Sequence, residues 1–340
     1  MAPRTVLITG CSSGIGLALA VRLATDSQGR FKVLATMRDL SCRGPLEEAA
    51  GSALGQTLEI EQLDVCDEGS ITRCLDKLPG QYVDILVSNA GIGLIGPLES
   101  LSLDDMRQVM DTNFFGLVQL VRALMPAMKR QRRGHIVVIS SIMGLQGIMF
   151  NDIYAASKFA VEGFCESLLV QALRFNISVT LVEPGPVTSE FEGKLYSGVE
   201  QVDCVGTDSE TADIFTRIYL PNSRALFASL SQSPEDVAEV GHTLKVICAR
   251  RPPFRHQTNP AYTPMLALKR ADPSGELAGA AFYSLVFRHG PLLRASLHAV
   301  RLCRWKARKL RQALRLLGLS RTGSPWSPAC PSAPPDSGQA

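Results

Sequence analysis

Near the amino terminus the chain reads Thr5-Val6-Leu7-Ile8-Thr9-Gly10-Cys11-Ser12-Ser13-Gly14-Ile15-Gly16. A short β-branched, aliphatic run enters a glycine-rich turn, and residues 15–24 then follow with helical periodicity. Glycines there let the backbone bend tightly and approach a pyrophosphate, whose charge the helix N-terminus stabilises. The spacing is GxxxGxG rather than GxGxxG, a departure from the commoner dinucleotide fingerprint, and a plain tight connection would explain the turn by itself.

Working outward, five further short apolar runs occur at residues 32–36, 58–65, 84–88, 135–140 and 178–183, with helical patterns at 103–128 and 153–175. Near-continuous hydrophobicity in runs this short means burial on both faces, hence a parallel sheet covered by helices. The expected fold is α/β, a doubly wound parallel sheet of Rossmann type, followed by a helical, basic C-terminal extension. Residues 136–150 are the most apolar, but they are shorter than a bilayer span and interrupted by Ser140, Ser141, Gly144 and Gln146. Beyond residue 183 the alternation stops, and 184–285 is where a substrate pocket could be built. Expected boundaries are a catalytic domain over 1–285, a basic amphipathic segment over 286–323, and a Pro/Ser-rich disordered tail over 324–340.

The 340 residues, 46% hydrophobic, suffice for one large core. Nine cysteines are scattered without a CxxC pair or zinc spacing, which argues against a disulfide framework or metal site and for a reducing compartment. No signal peptide is expected from the first residues. The net charge of +3 is uneven: from Val286 onward there are ten Lys and Arg against one acid, Asp336. An anionic surface, membrane or nucleic acid, fits such a tail, and so does a solvated one. In helical projection Leu302, Trp305, Leu310, Ala313, Leu314, Leu316 and Leu317 share one half of the circumference, with arginines opposite and Lys306 and Lys309 able to snorkel. This predicts a helix lying in an anionic membrane interface, to which Cys303 could add an acyl chain, and nucleic acid is not expected as partner. Packing of the helix on the protein's own body is the alternative.

The chemistry resides in residues that follow the strands. Arg38 could grip a 2′-phosphate, favouring NADP over NAD, or be an ordinary surface arginine, and neighbouring Asp39 keeps NAD open. Asp64 could accept from an adenine amino group or cap the helix beginning near Asp67. Asn89-Ala90-Gly91 is small where the chain must pass a cofactor, or is a plain turn. Asn113 sits inside a helical pattern that asparagine disfavours, so it needs a local backbone bond or a bound water. Ser141 precedes Tyr154 by thirteen residues, and Lys158 follows by four, on the same helix face. A cation beside the phenol in a closed site is expected to lower its pKa by roughly 2 to 3 units, into range for general acid–base work.

Taken together, the glycine turn, Asn89-Ala90-Gly91, Asn113, Ser141, Tyr154-Ala155-Ala156-Ser157-Lys158 and Pro184-Gly185-Pro186-Val187 resemble the short-chain dehydrogenase/reductases over about residues 5–285. The resemblance implies that Ser141 and Tyr154 hold the substrate oxygen, Tyr154 passes the proton, Lys158 binds the nicotinamide ribose, and Asn113 holds a relay water. It also implies NADP(H) against Thr9, Gly10, Cys11, Ser12, Ser13, Gly14, Ile15, Gly16, Arg38, Asp64, Asn89, Ala90, Gly91, Tyr154, Lys158, Pro184, Gly185 and Val187, and no metal. Stretches such as Met128-Lys129-Arg130 and Phe150-Asn151-Asp152-Ile153-Tyr154 are similar to the estradiol 17-beta-dehydrogenase branch, and others to its retinol dehydrogenases. A retinoid substrate is implied, with a steroid as alternative. The positions that hold a steroid's phenolic end fall at Asn222 and Leu285, which lack charge. Location at the cytoplasmic face of the photoreceptor outer-segment membrane, with cytosol as alternative, and a homodimer are further expectations of the likeness. A silent dinucleotide-binding scaffold is the reading outside the enzyme class.

Overall fold

The computed structural model describes residues 2–199, 204–239 and 241–316. A seven-stranded, all-parallel sheet runs in the order β3-β2-β1-β4-β5-β6-β7, with β1 at Arg4–Thr9, β2 at Phe31–Met37, β3 at Leu58–Gln62, β4 at Ile85–Ser88, β5 at Gly134–Ile139, β6 at Ile177–Glu183 and β7 at Arg255–Gln257. The reversal of strand order beside β1 creates a crevice at the carboxyl edge of the sheet, the place where open α/β folds bind ligands.

Alternation along each strand divides the core into two layers. Val6, Ile8, Val33, Ala35 and Val137 face the layer containing α1 (Gly14–Ala24) and α2 (Gly44–Ala50). Leu7, Leu34, Leu86, Ile136 and Val138 face α3 (Glu68–Asp76), α5 (Gly116–Gln131) and α6 (Asp152–Leu173). Both layers are dry and close-packed, so the sheet is a rigid floor for whatever is held at its edge. The doubly wound reading of the sequence is thus correct.

The helical run at 103–128 proves to be α4 (Leu103–Met110), a π turn at Asp111–Phe115, and α5. The third strand stops at Gln62, short of the expected residue 65, because the Asp64 carboxylate accepts from Cys66 N and Ser70 Oγ lies 3.0 Å from Asp64 N, which turns the chain out of the sheet. Strand β7 has no apolar run and was not foreseen.

After β6 come α7 (Glu190–Val199), α8 (Ser209–Asp213), a second π turn at Ile214–Tyr219, α9 (Leu220–Leu230), α10 (Pro234–Ala238) and α11 (Thr243–Cys248). Beyond β7 lie α12 (Thr263–Ala271), α13 (Glu276–Tyr283), a third π turn at Ser284–Arg288 and α14 (Gly290–Leu316). Helix α14 starts twelve residues before Leu302, packs along α9, and buries Leu297. Among the described residues no helix is long and apolar enough to cross a membrane. The expected tail at 324–340 and Leu317 lie outside the described residues.

Candidate active site

The glycine turn is built for close approach. Gly10 and Gly14 have φ of +70° and +59°, a region side chains disfavour. A Cβ on Gly16 would lie 2.2 Å from Gly10 O and 2.5 Å from Asn89 Nδ2, so only glycine fits. Asn89 donates from Nδ2 to the carbonyls of Thr9 (2.9 Å) and Gly10 (3.1 Å), while Thr9 Oγ1 accepts from Asn89 N and Ala90 N, both at 3.0 Å. These four bonds lace β1 to β4. Ser13 stands at the N-cap of α1 without a side-chain bond to the first turn, and no acid occupies that turn. An uncapped helix N-terminus with its glycine cradle fits a pyrophosphate. The Cys11 side chain is fully buried, with Sγ 3.3 Å from Ile8 O and the thiol pushed up to about 12 by burial. Only its backbone faces the turn.

At the end of β2 the exposed Arg38 makes no ion pair among the described residues. Asp39, in contrast, spends its carboxylate on Ser41 N at 2.8 Å, capping the turn Leu40–Cys42, and this bond holds its pKa below the usual value. The acid that might have served a ribose is engaged, and the guanidinium is free for a phosphate. Asp64 turns the chain through Cys66 N, and Asp67, not Asp64, caps α3 through Gly69 N.

Asn113 lies in the first π turn, a form of helix frequent at functional sites. Its Oδ1 accepts from Ile92 N (2.8 Å), and its Nδ2 donates to Ile92 O (2.9 Å) and Ser157 Oγ (3.0 Å). Ser157 in turn donates to Tyr154 O at 2.7 Å. The buried amide therefore clamps the segment after Gly91 to the helix bearing Tyr154. That accounts for the asparagine in a helix through a backbone clamp.

Ser141, Tyr154 and Lys158 converge as their spacing predicted. Ser141 Oγ accepts from Met143 N at 3.1 Å and is the polar side chain that acts on the Tyr154 phenol. Lys158 Nζ lies 5.7 Å from the Tyr154 ring centroid and donates to Ile139 O at 3.0 Å. The expected lowering of the phenol pKa is not found: burial pushes Tyr154 up to about 12, only partly opposed by Ser141, and pulls Lys158 down to about 8. Desolvation of each group outweighs the help of its polar neighbours in this site. Sequence spacing reveals the cation but not the dryness around it.

The chain after β6 completes the rim. Pro184 O accepts from Ile142 N at 3.0 Å, and Gln232 N donates to Pro186 O at 2.9 Å. A Cβ on Gly185 would come within 2.8 Å of the Tyr262 ring, whose buried hydroxyl has no partner among the described residues. Helix α7 then covers the crevice: Ser189 approaches Gly14, Phe191 lies 6.1 Å from the Tyr154 ring, and Leu195 with Phe191 fills the space over Gly93. Next to it Phe215 and Tyr219 stack at a centroid separation of 5.7 Å, and Phe150 meets both edge-to-face at 4.9 and 5.2 Å, with Ile95, Met149 and Leu195 against them. Phe150 has φ +62°, a strained backbone for a phenylalanine, immediately before the helix that carries Tyr154. None of these wall residues was identified from the sequence, which marked only the region 184–285.

Residues 4–200 match the family described as short chain dehydrogenase. The chain is 58% identical to retinol dehydrogenase 8 of Bos taurus, covering 88% of this chain and 95% of that one. It is 44% identical to 17-beta-hydroxysteroid dehydrogenase type 1 of Homo sapiens, over 86% and 88% of the two chains. Among solved structures, the closed form of serine dehydrogenase complexed with NADP+ superposes with a TM-score of 0.61 at 29% identity, covering 74% of this chain and 93% of that one.

Proposed function

The chain belongs to the short-chain dehydrogenase family, and from that premise we propose that it is an oxidoreductase reducing all-trans-retinal to all-trans-retinol with NADPH. The observation that carries the reading is the Ser141–Tyr154 hydroxyl pair beside Lys158, opening on an aromatic and aliphatic wall. A polyene needs a long apolar pocket and one polar anchor at its aldehyde. Asn222 and Leu285 offer no charge to a steroid's phenolic end, and leaving such a hydroxyl unpaired is costly. NADP preference rests on free Arg38 and engaged Asp39.

When bound, the nicotinamide supplies the hydride that reduces the aldehyde carbon. Ser141 and Tyr154 donate to the carbonyl oxygen, and their hydroxyls fix its distance from the cofactor face. Tyr154 gives its proton to that oxygen as the C=O bond becomes C–OH, leaving a phenolate stabilised by the Lys158 ammonium. Proton uptake from water then restores the phenol. Phe191 and Leu195 on α7 exclude water from the reacting carbon.

The protein works at the cytoplasmic face of an anionic membrane, by likeness that of the photoreceptor outer segment. Supporting this, Tyr283, Leu285, Phe287, Leu292 and Leu302 are exposed on α13, the following π turn and α14, close in sequence to Arg288, His289 and Arg301. It associates as a homodimer, for which Phe115, Phe159, Val170 and Leu173 offer exposed apolar surface on the π turn before α5 and on α6. Purified protein assayed with NADPH and NADH against all-trans-retinal, a cis-retinal and estrone tests the reading. Preferential NADPH oxidation with all-trans-retinal is expected, and estrone turned over in preference overturns it.

A further inference from the structure

One helical turn beyond Lys158 on α6 lies Glu162, a buried carboxylate with no place in the proton transfer described above. Two donors hold it. Ser140, next to Ser141, donates to Oε1 at 2.5 Å, and Arg255 from β7 donates to Oε2. The same guanidinium reaches Glu183 Oε1 on β6 at 2.7 Å and Glu166 Oε1 on α6 at 2.6 Å. Lys158 Nζ is meanwhile tied to Ile139 O, the carbonyl just before Ser140. Space around the carboxylate is full: a Cβ on Gly144 would lie 2.9 Å from Glu162 Cγ.

The geometry points to Glu162 as a positioning residue, whose buried carboxylate keeps the Lys158 ammonium charged and fastens Ser140, and through it Ser141, against the helix of Tyr154. This rests on the proposed carbonyl reduction and names a part of its machinery that does not touch substrate.

Each group facing Glu162 acts in a definite direction. On its own helix Lys158 attracts it, Glu166 shares Arg255, and Cys165 is neutral because burial raises its thiol to about 12. From β6, Glu183 repels it, and from β7, Arg255 attracts it; Arg270 of α12 pulls on Glu183. Burial raises the Glu162 pKa, and Ser140 and Arg255 oppose the rise. Burial pulls the Lys158 pKa down to about 8, and Glu162 is the charge that opposes this. Loss of a negative charge here lowers the Lys158 pKa, and the same sign applies to the phenol of Tyr154. Aldehyde reduction needs both protonated, so the basic limb of the rate profile moves to lower pH.

The test is the pH profile of kcat/KM for NADPH-dependent reduction of all-trans-retinal and of a soluble aldehyde by wild type, Glu162→Gln and Glu162→Asp. Glu162→Gln is expected to move the basic limb down by about one pH unit, with NADPH affinity at pH 6 within about threefold of wild type. Glu162→Asp, which keeps the charge but withdraws it by one methylene, should move the limb the same way by less. A limb that stays in place while activity falls evenly at every pH means a merely structural role and overturns the proposal. If Glu162→Gln does not fold, an unmoved limb in Glu162→Asp overturns it equally. Wild type inactive with every carbonyl would instead defeat the proposed reduction itself, so the two failures are distinguishable.

Discussion

Gly16→Ala isolates the contact on which the cofactor turn depends. The added methyl would meet Gly10 O at 2.2 Å and Asn89 Nδ2 at 2.5 Å, and neither is the loose end of a flexible side chain. Gly10 is backbone, and the Asn89 amide is fixed by its bonds to Thr9 O and Gly10 O. Forcing a methyl into a packed site costs about 1–3 kcal/mol. Displacing Asn89 forfeits two hydrogen bonds at about 1 kcal/mol each. Alanine's better helix propensity returns about 0.5–1 kcal/mol, because Gly16 has ordinary helical geometry. The net loss is about 2–4 kcal/mol, which lowers Tm on the order of 3–6 °C for a chain of this length. The turn that moves is also the proposed pyrophosphate cradle, so the NADPH Kd should rise about tenfold or more. Gly163→Ala is the control: it is exposed in the interior of α6 with nothing within 4 Å of a Cβ, and should stabilise by about 0.5–1 kcal/mol. Calorimetry for Tm and fluorescence titration for NADPH measure both. Gly16→Ala melting within about 1 °C of wild type, with unchanged affinity, would refute the reasoning.

Tyr154→Phe should reduce kcat by about 10²–10⁴-fold while a fluorescence titration finds NADPH affinity nearly unchanged; residual turnover above a tenth of wild type removes Tyr154 from its role. Arg38→Ala removes a charge-assisted bond worth roughly 1.5–3 kcal/mol, so the NADPH KM should rise tenfold or more with little change for NADH, and equal losses for both would be contrary. His135, buried against Thr180 Oγ1 at 2.9 Å, has its pKa lowered to about 3 by burial, so on acidification the unfolded chain takes up this proton first. Its contribution is intact above about pH 6.5 and is lost progressively toward pH 3, by about 2 kcal/mol at pH 5; urea unfolding of His135→Gln should be correspondingly less acid-sensitive, and identical pH slopes would contradict this. Leu292→Glu combined with Leu302→Glu alters exposed residues of α14 without touching buried Leu297; sedimentation with anionic vesicles should fall about tenfold or more, and full retention would place membrane binding elsewhere.

The six apolar strands were legible because burial on both faces leaves a compositional mark, and β7 was not because Arg255, His256 and Gln257 are held by partners rather than by hydrophobicity. Asn113 advertised itself as an asparagine in a helix, but its partner Ile92 is twenty-one residues away and no local pattern names it. Glycine spacing announced the turn at Thr9–Gly16 without revealing that Asn89 ties it shut. Tyr154 and Lys158 were found by an interval of four, yet their pKa directions depend on packing that an interval does not encode. Phe150, Phe215 and Tyr219 meet across about seventy residues, and aromatic side chains at such separations look like any other core. The helix expected from Leu302 was real, though it begins at Gly290 and lays part of one face on α9.

The two margins of the sheet bear on how the protein behaves in company. An unpaired strand edge is a template on which another chain can add, and the risk grows where molecules crowd together on a surface. Here one margin is β7, three residues long and entered through Pro252 and Pro253, which cannot donate to a ladder. The other is β3, where Glu59 pairs with Lys32 at 2.9 Å and Glu61 with Lys77 at 2.5 Å, so an incoming strand would meet charge. Short length, proline and charge each blunt an edge, and together they keep the sheet's inner strands out of reach of another chain.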